Sequence, residues 1–135
     1  MSSSQLALQK GLHATLLAHT PLIALLGGAR IHDRAPQPPV FPHVTFGQSL
    51  VRDADLDASP TDEHIVTLHV WSRTAGRREA YAIIDALRDA LHDRPVTLEG
   101  HRLINLRHEY SEARPDADGE TMHGIVRLRA VTERT

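Results

Sequence analysis

Residues 64–92 contain the stretch that decides the fold, and they run HIVTLHVWSRTAGRREAYAIIDALRDALH. The first part, His64 to Ser72, alternates along the chain with the period of two that is typical of a β-strand. Apolar groups lie on both of its faces, which predicts a central position in a sheet. The second part predicts a helix from Ala75 to His92 that covers the sheet. The apolar stripe of that helix comprises Ala80, Ile83, Ile84, Leu87 and Leu91.

Upstream of this stretch, the sequence predicts two helices. Ser2, with Gln5 three residues later, is the predicted cap of a first helix that ends near His19. Its predicted apolar stripe comprises Leu6, Ala7, Leu12, Leu16 and Leu17. Thr20 followed by Pro21 predicts the start of a second, short helix, which Gly27 and Gly28 stop.

Between these helices and the central strand, the pattern predicts a connector, a strand and a loop. Residues 35–42 contain four prolines, so they are expected to be an extended connector rather than a central strand. Residues 43–50 predict a strand with Val44, Phe46, Gln48 and Leu50 on one face. Residues 52–63 are rich in Asp and Ser and predict a solvated loop.

The last third of the chain predicts a hairpin. A short strand at 96–98 leads into a strand from His101 to Tyr110, a turn at 114–119 and a last strand from Glu120 to Thr132. In that last strand Met122, Val126, Leu128 and Ala130 share one face, while His123, Arg127 and Arg129 share the other. The elements together predict an α+β fold with a mostly antiparallel sheet of four to five strands and two to three helices packed on it. We expect a single domain over residues 1–135.

Composition excludes several classes of protein. The 135 residues are 41% hydrophobic and 24% charged, with 15 Lys and Arg against 17 Asp and Glu and a net charge of −2. Nucleic-acid binding through a basic, stacking surface is therefore disfavoured. The absence of cysteine rules out disulfides and thiolate metal sites. The chain start has no basic region and no apolar run long enough to cross a bilayer, so we expect a soluble protein without a secretion signal.

The ten histidines do not have the spacing of a metal site. His64 and His69 face opposite sides of a strand, because they are five residues apart. His101, His108 and His123 could approach one another across the final hairpin, but no matching carboxylate accompanies them. Catalytic elbows and phosphate-binding glycine loops are also lacking. We predict no catalytic, cofactor or metal residues, with a small His-dependent metalloenzyme as the alternative from a different class.

The acidic stretch has a weak resemblance to a calcium loop. Asp53, Asp55 and Asp57 have the spacing with which such a loop begins, but Pro60 interrupts it and His64 stands where the loop requires a glutamate. A solvated acidic loop, which could also meet a partner ring, is the favoured interpretation.

Five blocks of sequence resemble the tail-completion family, the tail terminators of long-tailed phages and gene transfer agents. Their order and spacing, rather than any catalytic signature, carry the resemblance, which covers nearly the whole chain. The blocks are residues 30–37 (RIHDRAPQ), 41–47 (FPHVTFG), 69–73 (HVWSR), 101–107 (HRLINLR) and 118–131 (DGETMHGIVRLRAV).

The resemblance implies a structural, non-enzymatic protein without cofactors. It implies a ring, usually of six copies, that caps the tail tube protein, stops its polymerisation and joins it to the connector or stopper proteins of the head. DNA would pass through the lumen without specific binding, at the tail–neck junction of a particle assembled in the bacterial cytoplasm. Another connector of the same neck, a stopper or adaptor, is the nearest alternative. The candidate ring or partner interface consists of Asp53, Asp55, Asp57, Asp62, Glu63, Arg127 and Arg129.

Overall fold

The computed structural model describes residues 3–55 and 60–135. In those residues three helices and five strands follow one another, and none of the helices is long and apolar enough to cross a membrane. The elements are α1 (Ser4–Leu17), α2 (Thr20–Leu26), β1 (Ile31–His32), β2 (His43–Asp53), β3 (Thr61–Ser72), α3 (Arg78–Leu91), β4 (His101–Pro115) and β5 (Met122–Arg134).

The five strands form one sheet in the order β1-β2-β3-β5-β4. Only the short pairing of β1 with β2 is parallel, and the other three pairings are antiparallel. β2–β3 and β4–β5 are neighbours in sequence, whereas β3 pairs with β5 across α3 and β4. The predicted α+β fold, the central position of β3 and the final hairpin are confirmed.

α3 covers the sheet on one side, as its apolar stripe predicts. Ala80, Ile83, Leu87 and Leu91 are fully buried and Ile84 nearly so, while Asp85, Arg88 and Asp89 face solvent. Burying a side chain of the size of Leu87 contributes about 1.5–3 kcal/mol. The helix begins at Arg78, three residues later than predicted, and ends at Leu91. The predicted strand at 96–98 is reduced to a single bridge between Thr97 and Arg102.

The first two helices form as predicted, but their caps lie one residue away from the predicted ones. The Ser3 side chain accepts a hydrogen bond from the Leu6 backbone N–H and caps α1; the predicted cap, Ser2, lies outside the described residues. Residue 19, a histidine, is the N-cap of α2, and Gly27 ends this helix with a φ of 76°. The α1 stripe runs through Ala7, Leu8, Gly11, Leu12 and Leu16. The predicted stripe also contained Leu6 and Leu17, which is wrong, because both residues lie on the solvent side of α1.

A β-bulge in β2 overturns the predicted faces of that strand. Phe46 pairs with Leu68 and Ser49 with Val66, so two residues of β2 stand opposite one residue of β3. The extra residue reverses the alternation after the bulge. Gln48 is exposed, and Leu50 turns away from the core with 53% of its surface exposed.

The predicted loop at 52–63 is shorter than expected because β2 continues to Asp53 and β3 begins at Thr61. Arg52 pairs with Glu63 and Asp53 with Asp62, as cross-strand neighbours. The candidate residues of this region are therefore held mainly by two paired strands rather than by a free loop.

His64 is a polar side chain in the core. It is fully buried, and its Nε2 lies 2.9 Å from the Thr132 hydroxyl. Its Nδ1 has no hydrogen-bond partner among the described residues. Burial lowers the pKa of His64 below its ordinary value of 6.5, so the imidazole is neutral in the folded protein.

The stability of the fold should therefore fall as the solution becomes acidic. The contribution of a neutral His64 is fully present above pH 6.5 and is lost as the pH falls from there toward the lowered pKa, because the unfolded chain then binds the proton. A single group of this kind removes up to about 1.4 kcal/mol of unfolding free energy per pH unit. We expect urea unfolding at pH 7.5 and 5.5 to show a smaller pH effect in His64→Leu than in the wild type. Val66→Ala, a neighbouring core change without a titratable group, should keep the wild-type pH effect; an unchanged pH effect in His64→Leu would contradict the assignment.

Candidate interaction surface

Among residues 3–55 and 60–135, the three helices lie on one side of the sheet and leave its other face without a helical layer. Alternate side chains of each strand point to opposite faces, so the residues that share this side follow from the register. We call this surface the open face. Its paired positions are His43, Thr45, Leu50 and Arg52 of β2; Glu63, Ile65, Thr67, His69 and Trp71 of β3; His123, Ile125, Arg127, Arg129, Val131 and Glu133 of β5; and Arg102, Asn105, Arg107, Tyr110, Glu112 and Arg114 of β4.

The open face is basic, although the chain as a whole is slightly acidic. Its paired positions carry six arginines and three glutamates, on a chain with a formal net charge of −2. The charge of the whole chain therefore conceals a strong separation of charge in space. The structure thus contains a basic surface that the composition does not predict.

Most of these arginines are held by carboxylates of the same face. Glu63 accepts a hydrogen bond from Arg52 Nε at 2.7 Å and a second from Arg129 Nη2. The Arg129 contact, and then that of Arg52, lowers the pKa of Glu63. Arg102 donates to Glu133 at 2.6 Å. The pairs fix the positions of long side chains across four strands.

Arg127 differs, because it has no carboxylate partner among the described residues. Its guanidinium carbon lies 5.4 Å from the centre of the Tyr110 ring. Beside it is a shallow depression of about 340 Å³ lined by Gln48, Leu50, Ile65, Thr67 and Arg127. The middle of the open face therefore combines an apolar floor with an unpaired positive charge.

A cluster of aromatic rings occupies the end of the open face near the start of β5. The Trp71 and His123 rings stack with centres 4.1 Å apart and an angle of 6° between them. The ring centres of His69 and His43 lie 5.8 and 6.3 Å from that of Trp71. Trp71 Nε1 donates a hydrogen bond to the Thr45 hydroxyl at 3.0 Å, which fixes the indole on the sheet.

Within this cluster, two histidines share a hydrogen bond. His69 Nδ1 and His123 Nε2 are 2.7 Å apart. Burial lowers the pKa of both imidazoles, and the proximity of His69 lowers that of His123 further. Two neutral rings with one bridging proton fit this geometry, because one nitrogen must donate and the other accept.

The histidines that the sequence analysis brought together are far apart. His101 pairs with Arg134 at one end of the final hairpin, and His123 pairs with Arg114 at the other. No group of three His, Asp or Glu side chains among residues 3–55 and 60–135 is arranged to hold a metal ion. The pair of His69 and His123 was not predicted from the sequence, because only the register of β3 with β5 brings these two residues together.

The aspartates among the acidic candidates lie on the other side of the sheet from the arginines, whereas Glu63 lies on the open face. Asp62 accepts a hydrogen bond from the Ser4 hydroxyl at 2.7 Å, which places it on the side of α1. Asp53 is its cross-strand neighbour and is exposed. Asp55 bonds to the Thr61 backbone N–H at 2.9 Å, and its hydrogen bond with Asp53 raises the pKa of Asp55. Asp57 lies outside the described residues.

The predicted interface residues thus divide between two surfaces. Glu63, Arg127 and Arg129 lie on the open face. Asp53, Asp55 and Asp62 form the second group, at the end of the β2–β3 hairpin near the start of α1.

A larger cavity of about 410 Å³ lies between the proline-rich connector and the turn after β4. Phe41, Trp71 and Arg73 line it, with the Arg73 guanidinium 4.1 Å from the centre of the Phe41 ring. Asp118, also in its wall, accepts hydrogen bonds from Thr121 and the Glu120 backbone, which lower the pKa of Asp118 to about 2. The carboxylate is an ionised group that holds the turn.

Comparisons with known proteins agree on one family. Residues 10–133 match the family described as Tail completion protein gp17. The tail completion protein gp17 of Bacillus phage SPP1 is 26% identical over 123 residues, which are 91% of this chain and 90% of that protein.

Two solved structures are similar in fold. A chain of the virion of a native gene transfer agent (GTA) particle superposes with a TM-score of 0.89 at 27% identity, over 98% of this chain and 99% of that one. The structure of bacteriophage SPP1 gp17 superposes with a TM-score of 0.63 at 24% identity, over 94% of this chain and 89% of that one, and shows the fold alone.

These matches define a structural assembly protein of phage and gene-transfer-agent particles. The chain belongs to the tail completion protein gp17 family. The resemblance inferred from the five sequence blocks is confirmed.

Gly47 sets the position of the paired histidines. A Cβ atom at this position would lie 2.3 Å from His69 Nε2 and 2.5 Å from His69 Cδ2, so Gly47→Ala must tilt the imidazole away from β2. We expect the hydrogen bond to His123 to break and the pKa of His123 to move upward, toward its ordinary value of 6.5. An NMR titration of the imidazole signals measures this shift. Gln48→Ala, at the exposed position of the same bulge, is the control, and an unaltered His123 titration in Gly47→Ala would refute the packing argument.

Proposed function

We propose that this protein is the tail terminator of a phage-like particle. In this proposal it forms a closed ring, of six copies, that caps the tail tube and joins it to the connector proteins of the head. The observation that supports the proposal is the family match over residues 10–133, together with the superposition on a chain of a gene-transfer-agent virion along 98% of the sequence.

The physical task of a terminator requires two unlike surfaces. A tube that grows by stacking identical rings presents the same end after each addition, so growth stops only when a different surface covers that end. The cap must bind the tube on one side and lack the complementarity for further stacking on the other. A sheet with a basic open face on one side and helices with an acidic group on the other is suited to that task.

The sheet edges offer unequal opportunities for subunit contacts. The middle of β4 is covered by the turn after α3, where the Asp93 N–H bonds to the Leu106 carbonyl at 2.8 Å and the His108 N–H to His92 Nδ1 at 2.9 Å. β1 pairs with Val44 and Thr45 of β2, and the Gln5 side chain bonds to the Ser49 carbonyl. The rest of β2 is therefore the more accessible edge, and an uncovered edge is a ready pairing surface.

The ring contacts the tail tube protein on one side and a connector or stopper protein on the other, at the tail–neck junction of a particle assembled in the bacterial cytoplasm. DNA passes through its lumen without specific binding. The role requires no catalysis and no cofactor, and we place Asp53, Asp55, Asp62, Glu63, Arg127 and Arg129 at its protein contacts.

Deletion of the gene should remove the termination of tail-tube polymerisation. We expect overlong or headless tails in negatively stained lysates, with head filling unchanged, because the growing tube end stays available for further rings. A plasmid copy of the wild-type gene should restore the normal distribution of tail lengths. Tails of normal length joined firmly to heads in the deletion strain would contradict the terminator, and tails of normal length that fail to join heads would indicate a stopper or adaptor instead.

A further inference from the structure

We propose that the open face of one copy receives the acidic hairpin end of a second copy, and that this is the contact that closes the ring. The inference rests on the proposed ring and names its subunit interface. The occupant is a second copy of this chain, presenting Leu6, Val51, Asp53, Asp55 and Asp62, which we call the acidic corner.

The receiving surface has the composition of a protein interface. Leu50 and Ile65 form the apolar floor of the 340 Å³ depression, and Arg127 stands beside it without a carboxylate partner among the described residues. Arg107 and Tyr110 flank it on β4 as the cross-strand neighbours of Arg129 and Arg127. Tyrosine and arginine around an apolar centre are enriched at protein interfaces.

The acidic corner supplies the complementary chemistry. Its three described carboxylates form no salt bridge within residues 3–55 and 60–135. Leu6 and Val51 are 52% and 39% exposed. The start of α1 is tied to this end of the hairpin, because Gln5 Nε2 donates to the Ser49 carbonyl at 3.1 Å and Ser4 donates to Asp62. Exposed apolar groups and negative charge are thus presented by one ordered corner.

The placement of the two surfaces determines the symmetry. Leu50 and Val51 are consecutive residues of β2 and point to opposite faces, so the two surfaces lie back to back on the same strand. In a two-fold dimer, the open face of each copy could not contact the acidic corner of the other at the same time. They produce a head-to-tail assembly, which closes into a ring when the rotation per subunit permits.

Besides the acidic corner of a second copy, duplex DNA is a negatively charged partner that a basic face could bind. The apolar floor and the internal pairing of Arg52, Arg129 and Arg102 with glutamates favour a protein partner, because a phosphate backbone gains little from Leu50 and Ile65. The choice between these partners is an outcome of the experiment below.

Charge reversal on each side separately tests the contact. The corner variant is Asp53→Arg with Asp55→Arg, and the face variant is Arg107→Glu with Arg127→Glu. Ring formation is measured by native mass spectrometry of the full chain, and by electron microscopy of tail tubes from the deletion strain after the chain is added. We expect each variant alone to lower ring yield about tenfold or more. Asp85→Arg with Asp89→Arg, and Arg78→Glu with Arg88→Glu, make the same charge changes on the exposed side of α3 and should leave the yield unchanged.

Mixing the variants distinguishes this contact from general damage. An equimolar mixture contains two complementary pairs: the unchanged face of the corner variant with the unchanged corner of the face variant, and the two reversed surfaces with each other. It should therefore form rings in which the two variants alternate, although neither variant forms rings alone. A chain with all four substitutions reverses both surfaces and should regain rings, with circular dichroism confirming that each variant is folded.

The failures of the two proposals are distinguishable. If the wild type forms rings and caps tubes, and both variants do so equally well, the proposed contact is wrong and the terminator stands. If the face variant keeps its rings but loses affinity for a short DNA duplex in fluorescence anisotropy, the open face binds DNA. The proposed contact between the open face and the acidic corner is then wrong. If the wild type neither forms rings nor caps tubes, both proposals fail.

Discussion

The packing of α3 against β3 and β5 is the interaction on which the rest of the structure depends. Ile84 of the helix lies directly over Gly124, where an added Cβ would be 3.2 Å from Ile84 Cδ1 and 3.0 Å from Val70 Cβ. A side chain here would force Val70 or Ile84 to shift, because interiors are close-packed. This contact fixes the helices on one side of the sheet, so the other side becomes a surface. The open face and its arginines are a consequence of that one-sided burial.

The sequence predicts the parts of the fold whose patterns are long and uninterrupted. β3 alternates without a break from His64 to Ser72, and α3 repeats its apolar stripe over four turns, so their type and burial were both predicted correctly. The outward direction of Arg127 and Arg129 on β5 follows from the same alternation. In each case the local periodicity of the sequence determines the type of the element and the direction of its side chains. The family could also be predicted from sequence, because its blocks keep their order and spacing along the chain.

The candidate surfaces could be predicted only in part, because they depend on register. Asp62 and Glu63 are adjacent in sequence and were assigned to one acidic loop, but as strand residues they point to opposite faces. The bulge at Gly47 moves Leu50 to the open face. A glycine inside a strand favours a bulge, but it does not by itself determine the register of the residues that follow. His69 and His123 meet only because β3 and β5 pair across the intervening helix and strand. Such features arise from the pairing of distant segments rather than from a local pattern.

The distribution of charge along β3 also bears on how one small domain can serve several partners. Glu63, held between Arg52 and Arg129, orders these side chains before any partner arrives, which reduces the entropy lost on docking. The ordered charges and the acidic corner lie near the start of β3, whereas Trp71 and its stacked histidines lie near its end. Subunits that meet at one end of the strand would leave the other end free for a different protein. The proposed ring, which would bind a tube on one side and a neck on the other, requires that separation, because a single surface shared by both partners would allow stacking to continue.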